Sequence, residues 1–490
     1  MTAAQPTGPG GPKVLKVDLC VIGAGSAGLS AASTAAQLGV RVVLIERGEM
    51  GGECLNTGCV PSEALLAAAR TAHAMRSAGG CGIEAVEPCV DFAAVHAHVH
   101  QVIAAIAPHD SVERFEGKGA HVIRAEARFV APCVLMAGGQ RIEARRVTIA
   151  TGSAPVAPKI DGLDAVPYFT NESIFDNRTL PAHLLIIGAG PLGLEMAQAH
   201  RRLGSQVTVI ERSKAMPHDD AGHVAELLKI LAAEGVTIRQ QVEVTSARQD
   251  ESGITLGVVE GGQHGEVRGS LLLVAAGRRP RLEALDLDRV GVKTDARGVV
   301  VDAKLRTSAR GVYAIGDVVA KSPQFTHVAG HQAGIAVQNA LLVPYAKTDY
   351  ASLTRGDLLR PRAGARRHGR RRGPQAAPRR RAHAGGRTRR QRPGPDGARG
   401  ARVDPARRPS QRLRPRGLDP GSARRRTRPC VGAGDRRRLE AQGCGAHDRA
   451  ISDARRGQQG GGRRVLQTEA VRRAVKMSRR AFLPSPMRIR

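Results

Sequence analysis

Residues 21–47 read VIGAGSAGLSAASTAAQLGVRVVLIER, and residues 186–212 read IIGAGPLGLEMAQAHRRLGSQVTVIER. The two stretches align without a gap at an offset of 165 residues. Each is an apolar strand, a G-x-G-x-x-G turn, a helix, a glycine and a second apolar strand that ends in Glu. That order describes a βαβ unit. A chain that carries it twice is held to an α/β architecture.

Each glycine has a physical job. Gly23 and Gly188 permit the tight turn after the strand. Gly25 and Gly190 let backbone approach a pyrophosphate, and Gly28 and Gly193 let helix and strand pack closely. The anion then lies on a helix N terminus, where free N–H groups and the dipole favour it. Glu46 and Glu211 each follow the first glycine by 23 residues and are placed to accept hydrogen bonds from a ribose diol. A duplicated Gly-rich turn without a ligand would not need an acid at matched spacing. The fold class expected is therefore α/β with two Rossmann-like nucleotide-binding domains.

The segments around the repeats fit this plan. Residues 121–150 alternate as short strands and end in VTIATGSAP, with Thr151 and Gly152 breaking the last strand. LLLVAAGRRP (271–280) is an apolar strand that runs into Gly277, and GVYAIGDVV (311–319) is a strand that runs into Gly316-Asp317. Residues 326–342 have a helical pattern. The expected layout is a flexible Gly/Pro arm at 1–13, one nucleotide domain at 14–155, a second at 156–275, and a return to the first at 276–345. An Arg-rich low-complexity tail fills 346–490.

GGECLNTGCVPSEALL (51–66) brings Cys54 and Cys59 close together. The pair alone leaves three readings: a metal site, a structural bridge or a redox couple. The N-terminal stretch MTAAQPTGPGGPK has no apolar core of a signal peptide, so a reducing cytoplasm is expected. There the eight cysteines are not expected to form a structural framework. A metal needs more ligands than two cysteines, and no Cys/His cluster elsewhere supplies them; no metal is expected. Cys59 directly precedes a helix opened by Pro61, where the helix N terminus stabilises a thiolate. His96, His98 and His100 form H-x-H-x-H, but a helix splits His98 from the other two, so a solvated face is expected. Cys20 lies in a strand and is assigned to the core.

The formal net charge is +31, but it is unevenly spread. Residues 351–490 hold 40 Arg, a single Lys (Lys476) and 9 acids, which leaves 34 basic and 35 acidic residues before them. Only one of the 11 aromatics, Phe482, lies in that last stretch. The tail has neither the apolar content nor the periodicity to bury a core. It would bind phosphate through charge, but it has no stacking aromatics and no recognition motif. No specific nucleic acid and no membrane are expected as partners.

Five motifs in order, VIGAGSAG, GGECLNTGCVPS, ATGS, IIGAGPLGLE and YAIGDV, make the chain resemble the pyridine nucleotide–disulfide oxidoreductases over residues 14–345. That family includes dihydrolipoyl dehydrogenase, glutathione reductase and mercuric reductase. FTHVAGHQA and YFTNESIF are more similar to the mercuric-reductase-like and dihydrolipoyl-dehydrogenase-like bacterial members. The resemblance implies FAD at the first repeat, aided by Gly52, Thr151, Gly152 and Gly277, and NAD(P)H at the second. It implies a Cys54–Cys59 redox disulfide, with Cys54 meeting substrate and Cys59 next to the flavin. Asp317 is similar to the acid that holds the ribityl chain, and Glu195 to an acid near the flavin. Glu211 favours NADH, because a carboxylate repels a 2′-phosphate, while Arg212 opposes that preference. The implied substrate is a disulfide such as a lipoyl group, or a thiol-bound metal ion.

Two departures stand out. Glu63 occupies the place where the family has Lys, which would set two carboxylates, Glu63 and Glu195, near the ring. The family's dimer domain, with its acid–base His, has no recognisable counterpart after Tyr350. Back-translating RGDLLRPRAGARRH (355–368) with GC-rich codons and reading one nucleotide later permits V-T-Y-S-D-P-E-L-A-H-V-G-M. That product resembles the family's D-P-E-x-A-x-V-G opening of the dimer domain, so a frameshift near 350–355 is expected. The alternatives to an oxidoreductase are a non-catalytic truncated product and an Arg-rich nucleic-acid-binding protein.

Overall fold

The computed structural model describes residues 13–350, 354–356 and 364–366. The expected N-terminal arm and nearly all of the Arg-rich tail lie outside the described residues.

The chain opens with β1 (Val14–Ile22), α1 (Ser26–Gln37) and β2 (Val42–Glu46). Four helices follow: α2 (Gly52–Asn56), α3 (Cys59–Ser77), α4 (Phe92–Ile106) and α5 (Val112–Gly117). Next come β3 (Ala120–Arg124), β4 (Ala127–Ala131), β5 (Val134–Ala137), β6 (Gln140–Ile149) and the short β7 (Ser153–Pro155). The second repeat forms β8 (His183–Ile187), α6 (Pro191–Leu203) and β9 (Gln206–Glu211), followed by α7 (Ala221–Ala233) and β10 (Val236–Gln240). A meander, β11 (Val242–Asp250), β12 (Gly253–Glu260) and β13 (Gln263–Gly269), leads to β14 (Leu271–Val274). The return segment holds β15 (Arg278–Pro280), the ribbon of β16 (Thr294–Asp295) and β17 (Gly298–Val299), β18 (Val312–Ala314) and α8 (Thr326–Leu341). A two-stranded hairpin, β19 (Thr354–Gly356) with β20 (Gly364–Arg366), closes the described chain.

The strands of both repeats pair in parallel, as expected of βαβ units, while β4 and β5 add an antiparallel edge to the first sheet. The first sheet has the order β3-β2-β1-β6-β5-β4, with β18 also paired to β6. The long β6 explains how one strand serves two neighbours on the same side. Its first residues pair with β5, and its last three, Val147 to Ile149, pair with β18. The second sheet has the order β10-β9-β8-β14, all parallel.

Strand ends buried on both faces read as unbroken apolar runs rather than alternating ones. Leu19 and Val21 of β1 pack into one core with α1 and α8, while Cys20 and Ile22 face the opposite core. Likewise Leu184 and Ile186 of β8 face one cluster and Leu185 and Ile187 the other. Each such side chain contributes about 2 kcal/mol of burial energy, which fixes the register and so the position of the turns that follow.

Three details differ from the sequence reading. The run 271–280 is two strands, broken where Gly277 adopts φ +143 so that β15 can pair with β7. Helix α3 begins at Cys59 itself, with Gly58 as its N-cap. Pro61 is tolerated inside it because the first four helical N–H groups have no intrahelical partner. The ordered core also extends past 345. The Tyr350 hydroxyl accepts from Gln332 Nε2 at 2.6 Å, and Asn339 holds Ala346 through both its amide nitrogen and oxygen. Among the described residues no helix is long and apolar enough to cross a membrane.

Candidate active site

The two Gly turns repeat down to single hydrogen bonds. Gly23 and Gly188 have φ of +104 and +110, and a Cβ on either would lie 2.4 Å from a carbonyl oxygen, of Ala150 or of Ala275. A Cβ on Gly28 or Gly193 would strike the carbonyl oxygen of the first glycine in its own turn. The acids repeat too. Glu46 accepts from the amides of Ala24 (2.5 Å) and Gly48 (2.7 Å). Glu211 accepts from the amides of Ala189 (2.9 Å) and Ser213 (2.8 Å), and from the Ser213 hydroxyl (2.7 Å). Burial opposes the Glu211 charge, but these bonds outweigh it and hold its carboxyl below the usual range. Even where the sequences diverge the pattern persists: the Gly51 amide donates to Ala24 O, and the Met216 amide, 165 residues on, donates to Ala189 O.

The residues fit a dinucleotide. Helices α1 and α6 start from Gly25 and Gly190, no side chain caps their free amides, and neither has an acid in its first turn. Both N termini are left open to an anion. A Cβ on Gly52 would stand 2.5 Å from the Gly25 Cα, so these two backbones touch and bring the cysteine loop against the first turn.

Both turns open into one cavity of about 1130 Å³, lined also by Cys54, Cys59, Glu195 and Asp317. Thr151, Gly152 and Gly277 line it where the strands cross over, and the Thr151 hydroxyl donates to Arg281 O at 2.7 Å. The two cysteines are free thiols, and Cys59 is exposed to the cavity it lines. A hydrogen bond from Cys59 holds Cys54 below the usual thiol range; burial opposes this, and the hydroxyls of Thr326 and Ser26 reinforce it. Cys59 is raised by that same bond, by burial and by the charges of Cys54 and Glu195. The pair therefore keeps one proton between two sulfurs, and it titrates as a pair. Thr326, the first residue of α8, lies with its hydroxyl 3.8 Å from Cys59 Sγ.

Glu195 is 7% exposed on α6. Glu63 lies one helical turn beyond Cys59, half-buried, and is not among the residues lining the cavity. Asp317 accepts from Ser153 Oγ at 3.1 Å, and burial raises its carboxyl.

Sequence reasoning missed Glu53. Its carboxylate pairs with Arg278 and accepts from Asn171 Nδ2 at 3.0 Å, and burial raises it to about 7. Arg278 also donates to Ser153 Oγ at 2.9 Å, so a chain of polar contacts runs from Asn171 to Asp317. The only local signal was a charge directly before a cysteine. Ser26 and Thr326 were also given no role, because nothing local marks a hydroxyl as a partner of a distant sulfur.

His98 is exposed, while the His96 and His100 rings lie 4.2 Å apart and His100 Nε2 sits 3.1 Å from Phe175 O. Among the described residues no three His, Cys, Asp or Glu side chains converge to hold a metal. Cys20 is fully buried, and burial pushes its thiol up.

The chain is 39% identical to a mercuric reductase of Streptomyces lividans over 353 residues, which is 70% of this chain and 74% of the relative. It is 38% identical to a dihydrolipoyl dehydrogenase of Thermus scotoductus, covering 66% of this chain and 70% of that one. Among solved structures, the Cu(II) complex of the HOCl-induced flavoprotein disulfide reductase RclA of Escherichia coli superposes with a TM-score of 0.62 at 26% identity, over 70% of this chain and 76% of that one. Residues 17–333 match the family described as pyridine nucleotide-disulphide oxidoreductase, and with twin nucleotide turns and a paired dithiol in one cavity, the chain belongs to that family.

Proposed function

We propose that the chain passes electrons from NADH through FAD to the Cys54–Cys59 pair, and from there to a small disulfide or a thiol-bound metal ion. The observation that carries this is the single cavity shared by the two Gly turns and the two sulfurs. Bound FAD supplies two-electron exchange between a nicotinamide and a disulfide. The protein's own groups do the rest. Gly23, Gly25, Gly28 and Glu46 form the flavin-nucleotide turn, supported by Gly52, Thr151, Gly152, Gly277 and Asp317. Gly188, Gly190, Gly193 and Glu211 form the nicotinamide-nucleotide turn. The layout of a flavin domain at 14–155, a nicotinamide domain at 156–275 and a return at 276–345 is part of this reading.

Reduction breaks the S–S bond, and the pair takes up two electrons and one proton. That proton stays between the sulfurs, in keeping with the opposite shifts of the two thiols. Cys54 attacks substrate and Cys59 remains beside the ring. NADH is preferred because the amides of Ala189 and Ser213 keep Glu211 charged in the nucleotide turn, where a 2′-phosphate would be repelled. Glu195 lines the cavity and puts negative charge near the ring, which slows its reduction; Glu63, half-buried on α3 outside the cavity lining, adds its charge from behind that wall. Thiol exchange is impaired in this chain, because the family's acid–base His has no counterpart in the tail sequence. The 40 Arg against one Lys after residue 350 support a frameshift there.

The test is a visible spectrum of the purified chain, titrated with NADH. Bound flavin that bleaches, with two thiols gained at Cys54 and Cys59, is the expected result. Colourless, folded protein refutes the reading. Sequencing the DNA across codons 345–370 tests the frameshift, and codons unable to yield the D-P-E-x-A-x-V-G pattern refute it.

A further inference from the structure

We propose that Glu53 makes flavin-nucleotide affinity pH-sensitive: its carboxylate opposes the dinucleotide when charged and admits it when protonated. The inference rests on the assignment of FAD to the first Gly turn.

Glu53 follows Gly52, whose Cα stands against the Gly25 backbone at the start of α1. It lines the same cavity as the open α1 N terminus. A negative charge therefore sits one residue from the backbone an anion must approach. The groups facing it are Arg278 from β15, Asp317 from the turn after β18, and Asn171 and Glu172 from the loop before residue 174. Cys54 is its neighbour on α2. Glu172 has its own counter-ion in Arg281. Glu53 and Asp317 instead share one guanidinium: Arg278 pairs with Glu53, and it reaches Asp317 only through Ser153 Oγ.

With all carboxyls ionised, three acids face two arginines, and the cluster carries one excess negative charge. An incoming pyrophosphate adds more. One proton on Glu53 removes the excess and also releases an Arg278 N–H to donate to the anion. Burial is the main reason that this carboxyl ionises near pH 7 rather than below 5, with Arg278 pulling against it. The proton is thus available in the neutral range.

The sign follows from linkage. If binding selects the protonated form, the apparent Kd rises as Glu53 ionises. Between pH 6 and pH 8 the competent fraction falls roughly tenfold, so FAD binds roughly tenfold more weakly at pH 8.

The experiment removes flavin from the full chain and titrates FAD back by fluorescence quenching at pH 6, 7 and 8. Wild type is expected to weaken about tenfold across that range. Glu53→Gln keeps the shape and an acceptor for Asn171 but not the charge. It is expected to bind independently of pH and more tightly than wild type at pH 8. A flat wild-type profile overturns the proposal, and so does a Glu53→Gln profile that parallels wild type. Asn171→Ala is a second variant: loss of its donated hydrogen bond raises the Glu53 carboxyl further and moves the transition to higher pH. An unmoved transition there also counts against Glu53. If neither wild type nor variants bind FAD at any pH, the flavin assignment itself falls, which is a distinct result from flavin binding without pH dependence.

Discussion

Gly25 and Gly28 are three residues apart in one turn, yet substituting them should have opposite consequences. Gly28 serves the fold. A Cβ there would lie 1.7 Å from the Gly23 carbonyl oxygen, which is backbone and has no room to yield. Gly28→Ala must push α1 off β1, at a cost of about 3 kcal/mol or more. That lowers the apparent Tm by roughly 4 °C for a chain of this size. Gly25 is different. Its φ is −78, open to any residue, and an added Cβ meets only the Gly52 Cα, at 3.8 Å. Gly25→Ala should fold with a stability change within about 0.5 kcal/mol. What the methyl group blocks is the ligand. Losing one charge-assisted hydrogen bond to a pyrophosphate costs about 1.5–3 kcal/mol, or roughly ten- to a hundredfold in FAD affinity. Thermal unfolding of the flavin-free chain and FAD titration by fluorescence quenching separate the two effects. The reasoning is refuted if flavin-free Gly25→Ala loses as much stability as Gly28→Ala, or if it binds FAD with an unaltered Kd.

Other outcomes follow from the sulfurs and the acids. Alkylation of reduced protein by iodoacetamide should show an inflection below the usual thiol range from the Cys54–Cys59 pair, with the rate falling about tenfold per pH unit below it as the thiolate is lost. Thr326→Val, which removes a hydroxyl partner, should move that inflection upward, and an unchanged midpoint would remove Thr326 from the thiolate's support. Glu63→Lys should speed flavin reduction by NADH on the order of tenfold, about 1.4 kcal/mol, in stopped-flow absorbance; an unchanged rate and potential would place Glu63 outside the ring's field. Glu211→Gln should raise the NADPH/NADH ratio of kcat/KM by roughly tenfold, the effect of about 1.4 kcal/mol of lost repulsion. An unchanged ratio would mean that another group sets the preference.

How much of this was legible in the sequence depends on how local the physics is. The Gly turns were legible because a backbone that must reach φ above +100 at Gly23 and Gly188 leaves a residue type behind. The strands beside them were legible because both faces of β1 and β8 are buried, so their apolar runs are unbroken. Cys54 and Cys59 were legible as a pair. Their control was not: Thr326 lies 267 residues from Cys59, and nothing in its own neighbourhood marks it. Glu53 was passed over for the same reason, since the Arg278 that gives it meaning is 225 residues away. The break at Gly277 was hidden because an apolar strand and its crossover read alike until β7 is there to pair with β15.

Glu46 and Glu211 lie between these extremes. Their matched spacing led to an expectation of ribose acceptors, and the structure adds a role in the turn itself. In both copies the carboxylate is first bound by the amide that follows the first glycine and by the amide two residues beyond the acid. Each oxygen of a carboxylate has two lone pairs, so these bonds leave capacity for a ribose while fixing the side chain's direction. The acid is therefore part of the turn, whatever ligand it also meets. This role accounts for a spacing of 23 residues kept without a gap: an insertion between turn and acid would disturb the turn even with no nucleotide bound. Charge at a strand end thus leaves a sequence signature when it closes a backbone turn, as at Glu46 and Glu211. It leaves none when, as at Glu53, its partners arrive only through the tertiary fold.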